Sequence, residues 1–174
     1  MQIIYTKKVQ IQRSGLDVAM LMKEIMTSRN DADREHVWSI GLNAQNPNLT
    51  LYVDQLSVGS LNKTISHPLD PRRVFHTALQ RGAASIIICQ NRLSDDFRPS
   101  QEDIFLTNRL SRGGGILYIS VLDHVIFNDT RIFSFREYGL HGPLYVYKNN
   151  LTNRIATEKH LVGKITNSIE GGRS

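Results

Sequence analysis

At 174 residues, with 40% hydrophobic and 21% charged side chains, the chain is long enough for one domain with a real core and too short for two comfortable ones. That balance excludes a disordered chain, and no apolar run approaches the roughly 20 residues that a bilayer-spanning helix needs. The net charge of +5 is mildly basic. Its loose clusters, Lys7, Lys8 and Arg13 and then Lys159 and Lys164, are too sparse, and too free of interleaved aromatics, for a nucleic-acid-binding stripe.

The N-terminus, Met1 to Lys8, has no apolar stretch ahead of its lysines, which argues against a signal peptide. Residues Gln2 to Gln12 alternate weakly through Ile3, Tyr5, Val9 and Ile11 and read as an edge strand. Ser14 and Asp17 have capping-box spacing, and Val18, Leu21, Met22, Ile25 and Met26 recur at three and four residues, so a helix is expected from Leu16 to Thr27. After a polar break, Val37–Leu42 and Leu49–Val53 read as a hairpin around the turn-rich segment from Asn43 to Asn48. Asp70 before Pro71 is a favoured cap and first-turn pair for a helix over Pro71 to Leu79, which Gly82 ends.

Ser85–Cys89 is a continuous apolar run of the kind found in a strand buried on both faces. Pro99-Ser100-Gln101-Glu102-Asp103 opens another helix, expected to stop at Gly113-Gly114-Gly115. Two strands, Ile116–Val121 and His124–Phe127, are expected next, then a short one around Ile132–Phe135. Because the glycine run follows a helix, it is not a phosphate-cradling loop. The lone Cys89 lies in the apolar run, on the opposite face from Ile88 and Gln90, so a reactive thiol is not expected. A single cysteine suits a reducing compartment, and the cytoplasm is the expected location. Helices interleaved with strands in mixed order imply an α/β (α+β) fold, a three-layer sandwich around one mixed sheet.

The most informative stretch runs from Ile86 to Asp103. Gln90, Arg92, Ser100 and Asp103 stand at the spacing residue, one, residue, seven, Ser, two, Asp. With its preceding apolar strand, this stretch resembles the RadC branch of the JAB/MPN (JAMM) family, whose His-Asn-His-Pro-Ser-Gly-Asp segment is followed by Pro-Ser-x-x-Asp. Further segments fall in the family's order: Glu35-His36-Val37-Trp38, Ser57 to Asn62, His67 to Phe75, and Leu122-Asp123-His124-Val125-Ile126. The resemblance implies a JAB/MPN-like, cytidine-deaminase-like sandwich over residues 35–137. It leaves 1–34 as a strand-helix extension and 138–174 as a partly loose tail.

It also implies roles. In the family, positions 90, 92 and 103 would hold zinc, Glu35 would be the base and Ser100 the oxyanion donor. A catalytic zinc uses three protein ligands and an open position, where it lowers the pKa of bound water. Of the three ligands only Asp103 is kept. Gln90 is a neutral amide, poor beside imidazole, and the Arg92 guanidinium has no lone pair and stays protonated. A full structural zinc site gains roughly 10–16 kcal/mol, which one carboxylate beside a fixed cation cannot approach. No metal or other cofactor is therefore expected. Arg92 is instead expected to act as a built-in counterion, pairing with Asp103, Glu35 or both, since two unpaired carboxylates would raise each other's pKa.

The resulting expectation is a catalytically inactive binding or scaffold module with a protein partner. One alternative is a zinc metallopeptidase or isopeptidase that recruits substitute ligands such as His124 or His67. The other is a DNA-associated accessory protein making weak nucleic-acid contacts.

Overall fold

The computed structural model describes residues 2–5, 14–46, 48–58 and 69–139. In chain order these form β1 (Gln2–Tyr5), α1 (Gly15–Arg29), β2 (His36–Leu42), β3 (Thr50–Val58), α2 (Pro71–Gln80), β4 (Ser85–Asn91), α3 (Gln101–Leu117), β5 (Ser120–Phe127) and β6 (Ile132–Ser134). The strands make one mixed sheet in the order β1-β3-β2-β4-β5-β6, in which β4 and β5 are parallel and every other neighbouring pair is antiparallel. A parallel pair needs a crossover, and α3 supplies it.

Three layers result, as expected. On one face Trp38, Ile40, Ile87, Cys89, Val125 and Phe127 pack against the inward side of α1. On the other, Val37, Tyr52, Ile86 and Ile88 meet Val74, Phe75 and Ala78 of α2 and Leu110 of α3. Strand alternation sorts β4 between these cores: Ile87 and Cys89 face α1, Ile86 and Ile88 face the α2–α3 layer. Each fully buried aliphatic contributes about 1.5–3 kcal/mol against exposure, so both faces of β4 help to hold the sheet's centre. Residues 1–34, set apart above as an extension, contribute α1 to this core: Val18 and Met22 are fully buried. The expected strand beyond Tyr5, the segments around Ser60 and His67, and nearly all of the tail from 138 lie outside the described residues.

Helix α3 corrects one reading. It does not stop at Gly113-Gly114-Gly115 but continues to Leu117, where Tyr118 takes the left-handed cap conformation at φ 55°. The glycines serve packing. A Cβ on Gly114 would stand 2.3 Å from the Ile119 carbonyl oxygen, and one on Gly113 would stand 3.0 Å from the Phe75 ring. Small residues let the helix lie close to the strand it feeds and to α2, which offsets a helix-propensity cost of about 1 kcal/mol per glycine. Ile116 and Leu117 are consequently helical, and the two strands expected over 116–127 are one, β5, whose ladder runs through Asp123 and His124 opposite Ile87 and Ile88.

The Asp123 carboxylate explains why the strand tolerates an acid there. It accepts from His124 N at 2.8 Å, Arg136 N at 2.9 Å and Ser134 Oγ at 2.6 Å, tying β5 to β6 and the following turn. Burial is the larger effect and raises its pKa despite these donors. Among the described residues, no helix is long and apolar enough to cross a membrane.

Candidate functional site

The carboxyl end of β4, the amino end of β2 and the first turn of α3 meet at one end of the sheet. The register makes this unavoidable. Val37 pairs with Gln90, so Glu35 and His36 run on beside Asn91, Arg92 and Leu93. Gln90 is buried on β4, and the Arg92 backbone N–H donates to Phe127 O at 2.8 Å, which anchors the loop to the end of β5.

Asp103 and Ser100 are joined by a reciprocal capping box. Ser100 Oγ accepts from Asp103 N at 3.1 Å, and Ser100 N and Oγ each donate to Asp103 Oδ2 at 2.7 Å. Satisfying the orphan amides of a helix start in this way is enough to explain both residue types at this spacing. Onto the same Oδ2 comes an Nη of Arg92, in a charge-assisted hydrogen bond. The Arg92 and Asp103 side chains are 15% and 9% exposed, so water screens this pair only weakly.

Glu35, buried, has a different partner. Its Oε1 accepts from Leu93 N at 3.3 Å, while its buried Oε2 and the buried Nε of Arg92 have no hydrogen-bond partner among the described residues. Asn91 holds this segment in place: its Oδ1 accepts from His36 N at 2.6 Å and its Nδ2 donates to Arg34 O at 2.7 Å, one bond on each side of Glu35. Sequence reasoning passed over Asn91. The available signal was its place between positions 90 and 92, where the family pattern also has asparagine.

His36 is structural. Its Nε2 donates to Asp31 O at 2.9 Å, its Nδ1 accepts from Gln55 Nε2 at 3.0 Å, and the ring stacks on Trp38. His124 likewise serves the seam between β5 and α3. Thr107 gives its hydroxyl proton to Asp103 O at 2.7 Å, so the His124 Nδ1 contact at 2.7 Å is a donation to Thr107. The His124 ring, fully buried, stacks on Phe135. This relay supports the helix turn that carries Asp103.

The donor set does not fit a zinc ion. Asp103 Oδ2 already takes three hydrogen bonds, Arg92 has no electron pair to give, and Gln90 offers an amide. Among the described residues, no group of three His, Cys, Asp or Glu side chains is arranged to hold a metal ion. Behind this site, on the α1 side of the sheet, a cleft of about 360 Å³ opens between Lys23 and Met26 of α1, the loop from Arg92 to Asp95 and the β5–β6 turn at Asn128 to Thr130. It had no signal in the sequence, because three separate segments line it.

A three-layer sandwich in which a strand end and a helix start present this residue series is the architecture of a JAB-type domain. The model of the RadC-like JAB domain matches residues 13–140, and the chain belongs to that family. It is similar to UPF0758 proteins: 42% identical over 136 residues to one from Moorella thermoacetica, 44% over 127 to one from Desulfitobacterium hafniense, and 42% over 127 to one from Methanococcoides burtonii. These alignments cover 78%, 73% and 73% of this chain and 56%, 52% and 52% of the relatives, so the chain spans about half their length. The match begins at residue 13, so it takes in α1.

Proposed function

We propose that this chain is a RadC-like JAB domain whose metal position has been taken over by an arginine, and that it works as a non-catalytic binding or scaffold module. The observation that carries this reading is the Arg92 guanidinium on Asp103 Oδ2. The one kept family ligand is thereby neutralised by a cation that supplies charge balance but no Lewis acidity. Glu35, the family's base position, is buried and bonded to the Leu93 amide, and Ser100, its oxyanion position, is committed to capping α3. Each residue thus has a structural task that needs no reacting water.

The test is metal affinity. Zinc is titrated calorimetrically into the native chain and into the double variant Gln90→His with Arg92→His. Tight binding of one equivalent by the double variant alone supports an emptied site. One equivalent of zinc in native protein purified without added metal would overturn the reading and favour a metallopeptidase with substitute ligands.

A further inference from the structure

The outer face of the α2–α3 layer collects a charge pattern that the linear sequence hides. On α3, Phe105, Arg109, Arg112 and Ile116 are all exposed and stand at i, i+4, i+7 and i+11, one stripe pointing away from the buried Asp103, Thr107, Leu110 and Gly114. The parallel helix beside it exposes Arg72, Arg73, His76 and Leu79, and its C-cap adds Arg81. The two stripes adjoin. Gly113 abuts the Phe75 ring, and Arg109, reaching across, adds to the effect of Arg72, whose hydrogen bonds hold the Asp70 carboxyl below its usual range. Both helices link strands of the same direction, β3 to β4 and β4 to β5, so they run the same way, and Leu79 and Ile116 each lie about one turn beyond the Gly113–Phe75 contact.

Two features stand out. The cations are all arginines: the described residues contain a single lysine, Lys23, on the other side of the sheet. Moreover, acids outnumber bases among the described residues although the whole chain is +5, so these five arginines, which share α2, α3 and their caps with just two acids that are not buried, Asp70 and Glu102, form a local excess on a body otherwise acidic. Between them lie large apolar groups left in water: Phe105 at 64%, Ile116 at 79%, Leu79 at 57% and, past the helix end, Tyr118 at 92% exposed. Arginine and aromatic groups around an apolar centre are the composition of a protein-binding patch. A nucleic-acid backbone would satisfy the guanidinium groups but give the aliphatic Leu79 and Ile116 nothing to pack against.

We propose that this face docks an acidic amphipathic protein segment, whose apolar side covers Leu79, Phe105 and Ile116 while its carboxylates pair with Arg73, Arg109 and Arg112. This surface is separate from the Arg92–Asp103 site and does not depend on whether that site is catalytic.

The experiment uses the full chain and a labelled, helix-forming peptide of ~18 residues with leucines at i, i+3 and i+4 spacing and glutamates between them. Binding is measured by fluorescence anisotropy at low and raised salt. The expected result is saturable binding that salt weakens and that Arg109→Glu with Arg112→Glu reduces by about tenfold or more. Ile116→Asp, an exposed change that leaves the arginines in place, is expected to weaken it similarly, while Lys159→Glu with Lys164→Glu leaves it unchanged. The proposal is overturned if the peptide does not bind or if the α3 variants bind like wild type. It is also overturned if the lysine variant alone loses binding, if a scrambled peptide of the same charge binds equally well, or if a ~20-nucleotide single-stranded DNA binds more tightly than the peptide.

Discussion

Arg92 and Ser100 converge on a single oxygen, Oδ2 of Asp103: the guanidinium approaches from the loop after β4 while the serine amide and hydroxyl donate from the helix cap at 2.7 Å each. Replacing Arg92 by alanine leaves a buried carboxylate with only neutral side-chain and backbone donors. Breaking a fully buried pair costs about 3–5 kcal/mol, but here two donors remain and Arg92 is 15% exposed, so a loss of about 1–3 kcal/mol is expected. Arg92→Lys is expected to fall between, because an ammonium keeps the charge without the planar fork. Urea unfolding at neutral pH measures both. A midpoint unmoved by Arg92→Ala means that the pair does not stabilise the site.

The pH dependence of stability has a contribution of known sign from Asp123. Its folded-state pKa is raised, mainly by burial, above the unfolded value. The folded state therefore holds the proton more tightly, and the stability this confers is complete below the unfolded pKa and is lost as pH rises through the folded one. Asn at this position keeps an acceptor for His124 N and Arg136 N and can donate to Ser134 Oγ, without a charge to desolvate. Asp123→Asn is thus expected to match or exceed wild type at pH 7 and to flatten the decline in the mildly acidic range. Asp96 has the opposite sign: Arg98 holds it down to about 2, so its contribution is present above the unfolded pKa and disappears as pH falls toward the folded one. That pair is exposed, so solvent screening leaves its contribution small. Denaturant midpoints across pH for wild type and Asp123→Asn decide the matter, and a variant with an unchanged profile contradicts the Asp123 assignment.

What could be read from the chain followed contiguity. Gln90, Arg92, Ser100 and Asp103 lie within one strand–loop–helix passage, so their spacing could be matched to the family pattern without a gap, and the structure joins Arg92 and Ser100 at Asp103. Glu35 reaches the Leu93 amide from 58 residues away, through the antiparallel register of β2 on β4, and only the resemblance to a family linked it to the site. Asn91's two bonds around Glu35 depend on the same register and were illegible. The glycine run misled for a related reason: its poor helix propensity is local, whereas the contacts that favour glycine, with Phe75 and Ile119, come from elsewhere in the fold. The arginine face was hidden because its members are spread over two helices and never adjoin as a run longer than Arg72-Arg73.

Cys89 provides a probe of global unfolding. Its thiol lies fully buried against α1, and burial, with the nearby Asp123 charge, pushes its pKa well above the ordinary value. The thiolate is the reactive form, so native protein is expected to resist iodoacetamide at pH 8 while urea-unfolded protein is alkylated promptly. Mass spectrometry over a time course reads the difference. Rapid labelling of the native chain would show that α1 opens from the sheet far more readily than a core helix with Val18 and Met22 fully buried should.

The three glycines in α3 are not equivalent, and alanine substitution separates them. A Cβ on Gly115 meets nothing within 4 Å, so Gly115→Ala on this exposed helical position is expected to stabilise by about 0.5–1 kcal/mol through reduced backbone freedom in the unfolded chain. A Cβ on Gly114 meets the Ile119 carbonyl oxygen at 2.3 Å, backbone that cannot yield without displacing the entry to β5. Gly114→Ala is expected to cost about 1–3 kcal/mol from overpacking in spite of the better helix propensity. Gly113→Ala is intermediate, since its neighbour is the edge of the Phe75 ring at 3.0 Å, which a small side-chain rotation can relieve. Thermal and urea denaturation of the three variants should therefore rank them 115 above wild type and 114 lowest. If Gly114→Ala proves as stable as Gly115→Ala, the helix does not lie against Ile119 as described, and α3 ends nearer the glycines than Leu117.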